Sequence, residues 1–277
     1  MLYEEIPAPP GLRPFVAGMW FIRAEPRAKY EKILPGPSAH LILNLSDPYR
    51  LITPSEDGSR TTEVSAGFYA GLQRSYLISE NPERMFNVGA RLTPYGLAAF
   101  TSQPPSNIQC RVVDAESVFP GFTGLRTRLR LAGPGEAFAA LGEFLASRLR
   151  VGYRSDARTR HLVETLEARD VEVAALAAET GISSSTLERI MMRDCGVNAK
   201  TYSDVCRFYR FVNAAAAMPR GAVPGRDLLE LADYYDQPHL IRAFRKFSGF
   251  TPTEYLRVVQ SYGAEYATFV PLEDIAW

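Results

Sequence analysis

The stretch "YYDQPHLIRAFRKFSGFTPTEYLR", Tyr234–Arg257, decides the fold of the C-terminal half of the chain. Leu240, Phe244 and Phe247 recur at helical spacing, which predicts an amphipathic helix that buries one apolar stripe. Gly249 ends this helix, and the "TPTEY" that follows has the pattern of a capping box at the start of another helix. The stretch therefore predicts two consecutive helices joined by a tight turn.

The residues before this stretch complete a helix-turn-helix unit. A short helix is predicted over Asp227–Ala232, with Asp233 in the turn and Asp236 as the N-cap of the next helix. This unit spans about residues 227–248. Polar and basic side chains lie off its apolar stripe: Gln237, His239, Arg242, Arg245 and Lys246.

A first unit of the same kind lies at "VEVAALAAETGISSSTLERIMMRDCGV", Val171–Val197, and covers about residues 172–195. Ala177 is small where two helices must cross, Gly181 tolerates the positive φ of a tight turn, and Ser183 can cap the second helix. A purely structural helical hairpin remains the alternative. The outward face of the second helix carries Ser184, Ser185, Glu188, Arg189 and Arg193.

The spacing of the two units favours DNA as their partner. They repeat after about 50 residues, and a long helix, "TYSDVCRFYRFVNAAAAM", is predicted between them. Two recognition helices roughly 34 Å apart can enter successive major grooves on one face of the duplex. Arg pairs with guanine and Gln with adenine in that groove. The candidates for base contacts are Ser184, Ser185, Arg189, Gln237, His239 and Arg242. Those for phosphate contacts are Arg245 and Lys246, and Arg193 is a further candidate for binding DNA.

The charge balance suggests modest non-specific affinity. The whole chain has a net charge of zero, and Ser183–Arg257 has only three more Lys and Arg than Asp and Glu. Phosphate neutralisation should therefore add little, and base contacts should matter more.

These patterns resemble the DNA-binding domain of the AraC/XylS family of transcription regulators. The Asp-Gln of "YYDQPHLIRAFRKF" and the "GFTPTEY" resemble its second half, and "LAAETGISSSTLERI" with "CGVNAKTY" resembles its first, over about residues 160–257. The chain departs from the family at Asp233, where Gly is usual, and at Ser185, where a basic residue is frequent. The resemblance implies a sequence-specific regulator that binds double-stranded promoter or operator DNA and can act on RNA polymerase.

The N-terminal half is expected to be β-rich, so the predicted class is α+β. Short strands between turn signals predict an antiparallel barrel or sandwich. They are Gly18–Arg23, His40–Leu45, Tyr49–Thr53, Val64–Tyr69, Ser75–Ser79 and Arg84–Leu92. The predicted domains are 1–153, ending in a helix over about 135–150, the helical domain 154–260, and a C-terminal tail 261–277. That helix could pair with a second copy, giving a homodimer, or pack on the sheet.

The segments "ILPGPSAHLILNL" and "NVGARLTPYGLAAF" resemble a cupin-like sensor domain found before such DNA-binding modules. The resemblance implies a domain that senses a small-molecule effector or mediates assembly. Candidate ligand-binding residues are Trp20, His40, Tyr69, Tyr76, Arg91 and Tyr95. The alternative is that most of them are ordinary core residues.

Other function classes have little support in the sequence. The three histidines are far apart, and the common nucleotide-binding and hydrolase motifs are absent, so no metal, cofactor or enzymatic activity is expected. An acidic N-terminus and the lack of a long apolar run predict a cytoplasmic location and no membrane partner. Cys195 and Cys206 are read as buried thiols, with a redox sensor as the alternative. A protein-docking helical module is the second function considered, and an enzyme in the β-rich half is the third.

Overall fold

The N-terminal half folds into two antiparallel sheets in the computed structural model, which describes residues 1–55, 58–218 and 237–273. The first sheet has six strands, in spatial order β1 (Leu2–Ile6), β2 (Val16–Ala24), β9 (Met85–Leu92), β4 (Ala39–Asn44), β7 (Gly67–Ala70) and β10 (Val112–Asp114). The second has five, in the order β11 (Phe269–Leu272), β3 (Tyr30–Ile33), β8 (Leu77–Glu80), β5 (Tyr49–Ser55) and β6 (Gly58–Val64). Within the described residues the sheets form a sandwich and do not close into a barrel. The predicted α+β class is confirmed.

Most predicted strands coincide with observed ones, because turn signals in the sequence bound them. Val64–Tyr69 is wrong as a single strand: β6 ends at Val64, β7 begins at Gly67, and the two lie in different sheets. The strand predicted from Ser75 begins later, at Leu77. The segment "TPYGLAAFTS", Thr93–Ser102, contains a single 3-10 turn, Gly96–Ala99.

The strand β11 comes from the C-terminal tail and returns to the N-terminal half. It pairs antiparallel with β3, so that Val270 lies opposite Lys32. The Leu34 amide donates to the Thr268 carbonyl over 2.9 Å, which extends the ladder by one residue. Val270 is fully buried. The segment treated as a tail in the sequence is thus an edge strand of the second sheet.

Three helices follow β10 and precede the helical domain: α1 (Ala115–Val118), α2 (Gly124–Leu129) and α3 (Pro134–Arg148). The apolar face of α3 packs on the outer face of the six-stranded sheet and forms one core with it, through Phe138, Leu141 and Leu145. Its exposed face carries small and acidic residues such as Ala139 and Glu143. The structure therefore shows the sheet-packing alternative for this helix.

The helical half contains six described helices. They are α4 (Ala157–Ala168), α5 (Val173–Thr180), α6 (Ser184–Asp194), α7 (Ala199–Ala216), α8 (Gln237–Ser248) and α9 (Pro252–Tyr262). The helix predicted at Asp227–Ala232, the turn at Asp233 and the cap at Asp236 lie outside the described residues. In the described ranges, no helix combines the length and apolarity that a membrane span requires.

Two apolar cores hold the helical half together, and both include residues of the N-terminal half. The core around α5 and α6 takes in Leu72 and Tyr95. The core around α8 and α9 takes in Leu34, and also Val270 of β11. The helical half is therefore docked on the sandwich at two places.

Candidate nucleic-acid interface

The first helix-turn-helix unit consists of α5 and α6. Gly181 ends α5 in the left-handed region, at φ 68°, and Ile182 donates from its amide to the Ala177 carbonyl over 3.1 Å. The Ser183 hydroxyl then caps α6 by accepting from the Thr186 amide at 3.2 Å. A residue with a Cβ would be strained at Gly181, so the tight turn depends on glycine.

The buried side of α6 and its exposed side are cleanly separated. Leu187 and Ile190 are buried with α5, which fixes the orientation of the helix. Ser184, Ser185 and Arg189 are exposed on the other side. Arg189 forms no hydrogen bond or ion pair with any described residue, so its guanidinium group is available to an outside partner.

Arg193 and Glu188, at the other positions of the predicted outward face, have partners within the chain. Arg193 pairs with Asp194 at 2.6 Å and with Asp156, at the start of α4, at 3.2 Å. Hydrogen bonds, first from Arg158 and then from Arg193, lower the pKa of Asp156 to about 2. Glu188 accepts from the Ala199 amide at 2.9 Å and so caps α7. These two side chains anchor α6 to its neighbours.

The second candidate recognition helix, α8, rests on an aromatic core. Phe244 is fully buried, and its ring centroid lies 5.1 Å from those of Phe208 and Phe211 and 5.2 Å from that of Tyr255. The five polar residues predicted for DNA binding are all exposed: Gln237, His239, Arg242, Arg245 and Lys246. The apolar stripe and the polar face thus lie where the sequence predicted them.

The turn after α8 is also as predicted. Thr251 and Glu254 form a reciprocal capping box at the start of α9. Arg242 forms no hydrogen bond or ion pair with any described residue. Both candidate recognition helices therefore present at least one arginine that has no hydrogen bond or ion pair to a described residue, on a helix whose other face is fixed in a core.

The comparisons with known proteins give matches to one domain family and to solved structures. Residues 4–114 match the model of a family described as a domain of unknown function, DUF6597. No curated protein matches the sequence. A structure of ToxT from Vibrio cholerae is 10% identical, with a TM-score of 0.49, and the match covers 93% of this chain and 98% of that one.

Two further structures are similar. ToxT from Vibrio cholerae bound to an unsaturated fatty acid is 11% identical, with a TM-score of 0.45, over 85% of this chain and 94% of that one. The AraC-like transcriptional activator CuxR is 17% identical, with a TM-score of 0.23, over 77% of this chain and 86% of that one. One of these similar structures is thus described as AraC-like, the family that the sequence resembles.

Three of the six candidate ligand residues share one surface. Trp20 lies opposite Gly89, and His40 lies opposite Arg91, in the ladders of the six-stranded sheet. Residues paired across a ladder point to the same face, and Ile42 of β4 places that face toward the second sheet. Trp20, His40 and Arg91 therefore lie on the inner face of the sandwich.

The other three ligand candidates lie elsewhere. Tyr69 belongs to the core on the outer face of the six-stranded sheet, because side chains alternate along β7. Tyr95 packs in the core of the first helix-turn-helix unit, and Tyr76 packs against that of α8 and α9. A single pocket formed by all six residues is therefore wrong. A cleft of about 510 Å³ lies between residues 98–106, residues 150–156 and the end of α6. None of the six ligand candidates lines it.

The inner face carries an imidazole, His40, beside a charged pair whose side chains are each more than a third exposed. Burial, and then the nearby Arg91, lower the pKa of His40 from 6.5 to about 4. Arg91 itself pairs with Glu5 of β1 at 2.8 Å. The Trp20 ring packs directly against Gly89 on this face. The contact requires glycine, because a Cβ there would lie 2.5 Å from the ring. No cluster of three or more metal-binding side chains occurs in the part of the chain that the structure describes.

The buried His40 predicts a pH dependence of stability. Its pKa is lower in the folded state than in the unfolded state, so the unfolded chain binds the proton more readily. The contribution of the neutral His40 side chain to the free energy of unfolding is fully present above pH 6.5 and is lost as the pH falls through about 4. The loss should reach at most about 3 kcal/mol. His40→Gln should flatten the curve of unfolding free energy between those pH values, measured by urea denaturation. The exposed His161→Gln is the control, and an equal flattening there would contradict the assignment.

One buried charge was not predicted from the sequence. Lys32 of β3 is 8% exposed, and its Nζ lies 4.2 Å from the ring centroid of Tyr76 and 4.0 Å from that of Phe250. Burial lowers its pKa to about 8, while the Glu254 carboxylate opposes that shift. The lysine joins the N-terminal half to the turn between α8 and α9. Its role escaped prediction because β3 itself was not predicted.

The structure favours the interpretation of the two cysteines as buried thiols over that of a redox sensor. Cys195 and Cys206 are both buried beside the first helix-turn-helix unit. Burial raises the pKa of the Cys195 thiol, and it raises that of Cys206 to about 12. Little thiolate is then present at neutral pH, so both side chains are poor redox sensors in this state.

Proposed function

We propose that the chain is a sequence-specific DNA-binding transcription regulator whose α6 and α8 are recognition helices. The observation that carries this proposal is the same arrangement in both helices. Each has one face fixed in an apolar core and an opposite face with exposed polar residues and an arginine that has no ion pair to any residue the structure describes. That arrangement suits insertion into the major groove of double-stranded promoter or operator DNA, with the two helices in successive grooves.

The roles of individual residues follow from their position and partners. Ser184, Ser185 and Arg189 of α6 are proposed to contact bases, as are Gln237, His239 and Arg242 of α8. Arg245 and Lys246 are proposed to contact phosphates. Arg193 is proposed as a weaker phosphate contact, because Asp194 and Asp156 already hold it.

The N-terminal half, residues 1–153, is proposed as the controlling domain and residues 154–260 as the DNA-binding domain. Trp20, His40 and Arg91 on the inner face are the candidate contacts for a small-molecule effector. An aromatic ring, an imidazole and a guanidinium would suit a partly apolar ligand with an acidic group. Contacts with RNA polymerase and a homodimer are further proposed partners, and the proposed site of action is the cytoplasm.

Binding to the DNA upstream of the gene tests this function. The purified chain should produce a sequence-preferring shift with that DNA, at a stated salt concentration and with unrelated competitor DNA present. Equal affinity for upstream and scrambled DNA would contradict sequence-specific binding. Absence of binding to either, with the chain folded, would favour a helical module that docks another protein.

A further inference from the structure

The loop Gly71–Tyr76 connects β7 to β8 and therefore crosses from one sheet to the other. We call it the inter-sheet loop. Its two ends contact different parts of the helical half, so the loop does more than connect two strands.

The first end of the inter-sheet loop belongs to the core of the first helix-turn-helix unit. Leu72 is 3% exposed and packs in the same apolar cluster as Leu187 and Ile190 of α6. The Leu72 carbonyl accepts from the Cys110 amide at 3.0 Å. Gly196, just after α6, approaches the segment around Pro105 so closely that a Cβ would lie 2.6 Å from the Pro105 carbonyl carbon. The N-terminal half thus holds α6 at its end.

The second end of the inter-sheet loop contacts α8 and the turn after it. Ser75 donates from its hydroxyl to the Lys246 carbonyl at 3.3 Å. The Lys32 ammonium group lies 4.2 Å from the ring centroid of Tyr76 and 4.0 Å from that of Phe250. The strand β11, paired with β3 beside Lys32, buries Val270 in the core of α8 and α9. Three contacts therefore tie α8 to the same sheet.

The inter-sheet loop is short, and this makes the arrangement of the two helix-turn-helix units stiff. Leu72 and Tyr76 are four residues apart, which allows at most about 14 Å of extended chain between them. The helix α7 is the other connection between the two units in the described residues, and its 18 residues span about 27 Å. A long helix with a second, short brace across it bends and rotates less than the helix alone.

We propose that the inter-sheet loop and β11 set the distance and rotation between α6 and α8, and so determine which half-site spacing the protein binds. This inference rests on the proposed DNA-binding function. Because the loop joins the two sheets, a ligand held between them would act on the spacing of the recognition helices. Leu72 and Tyr76 are positioning residues in this mechanism, since neither lies on the exposed face that would touch DNA.

A distance measurement without DNA tests whether the inter-sheet loop fixes the separation of the two helix-turn-helix units. Spin labels at Ala178→Cys and Thr253→Cys, in a Cys110→Ser background, report the separation of the two units by double electron–electron resonance. Leu72→Ala and Tyr76→Ala should each broaden the distance distribution, while the exposed Arg74→Ala should not. Two variants are needed because Leu72→Ala also removes a side chain from the core of α6, whereas Tyr76 is only half-buried. Unchanged widths in both folded variants would show that α7 alone fixes the spacing and would overturn the proposal.

A second measurement tests the consequence for DNA. With sites selected by the wild-type chain, inserting one base pair between the half-sites should weaken wild-type binding about tenfold, since it shifts the second site by about 3.4 Å and rotates it. Tyr76→Ala should reduce that penalty to about threefold or less. An unchanged penalty would overturn the proposal. Failure of the wild-type chain to select any site would instead contradict the proposed function, while the distance measurement would still decide the role of the loop.

Discussion

Replacing Phe244 with alanine is expected to lower the free energy of unfolding by about 3–5 kcal/mol, because it removes a fully buried ring. The ring contacts three other aromatic rings, from α7 and α9, with centroids 5.1 to 5.2 Å away. Neither helix can move into the cavity easily, since each is held at several other points in the same core. Chemical denaturation followed by circular dichroism measures the loss.

Two other substitutions control this experiment. Phe244→Leu keeps an apolar side chain of similar reach and should cost less than half as much. Ile241→Ala lies on the same helix but is only partly buried, so it should cost about 1 kcal/mol. If Phe244→Ala cost no more than Ile241→Ala, the aromatic core would not be what stabilises α8.

The same residues show how much of the site the sequence could predict. The stripe of Leu240, Phe244 and Phe247 was read from spacing alone, and all three are buried. The capping box at Thr251 and the turn at Gly181 were also predicted, because the groups that form them lie within a few residues of each other. Local geometry of this kind depends on a short stretch of chain and is therefore visible in it.

The contacts between the halves could not be predicted in this way. The β11 strand pairs with β3 across more than 230 residues, and nothing local marks a four-residue strand after two helices. The burial of Lys32 follows from that pairing and from the position of Phe250. Tyr69 is grouped with the ligand candidates because side-chain type does not reveal which face of a sheet a residue occupies, and Tyr95 because its packing against the helical half is a long-range contact. Register, which decides the face, emerges only from the fold.

Arg193 illustrates the same limit on the DNA-binding face. Residue type and helical position placed it with Arg189 as an outward cation, and both are exposed. The structure separates them, because Asp156 reaches Arg193 from the start of α4 and leaves Arg189 without a partner in the described residues. Exposure alone is therefore a weak guide to which cation contacts DNA, and the existing ion pairs are the better one.

That distinction leads to the strongest expected effect on binding. The double substitution Arg189→Ala and Arg242→Ala should weaken specific binding by about 2–6 kcal/mol, as each lost guanine contact costs about 1–3 kcal/mol. The two residues lie on different helices with separate cores, so their effects should add. Titration of selected DNA followed by fluorescence anisotropy, at fixed salt, measures each single variant and the double variant.

The comparison with other cations makes this result specific. Arg245→Ala, a proposed phosphate contact, should weaken selected and scrambled DNA equally and lower the salt dependence of binding by about one counterion. Arg130→Ala removes an exposed charge from the N-terminal half and should change neither. If the double variant lost affinity equally for selected and scrambled DNA, both arginines would be phosphate contacts, and sequence recognition would have to come from Gln237, His239 and the serines of α6.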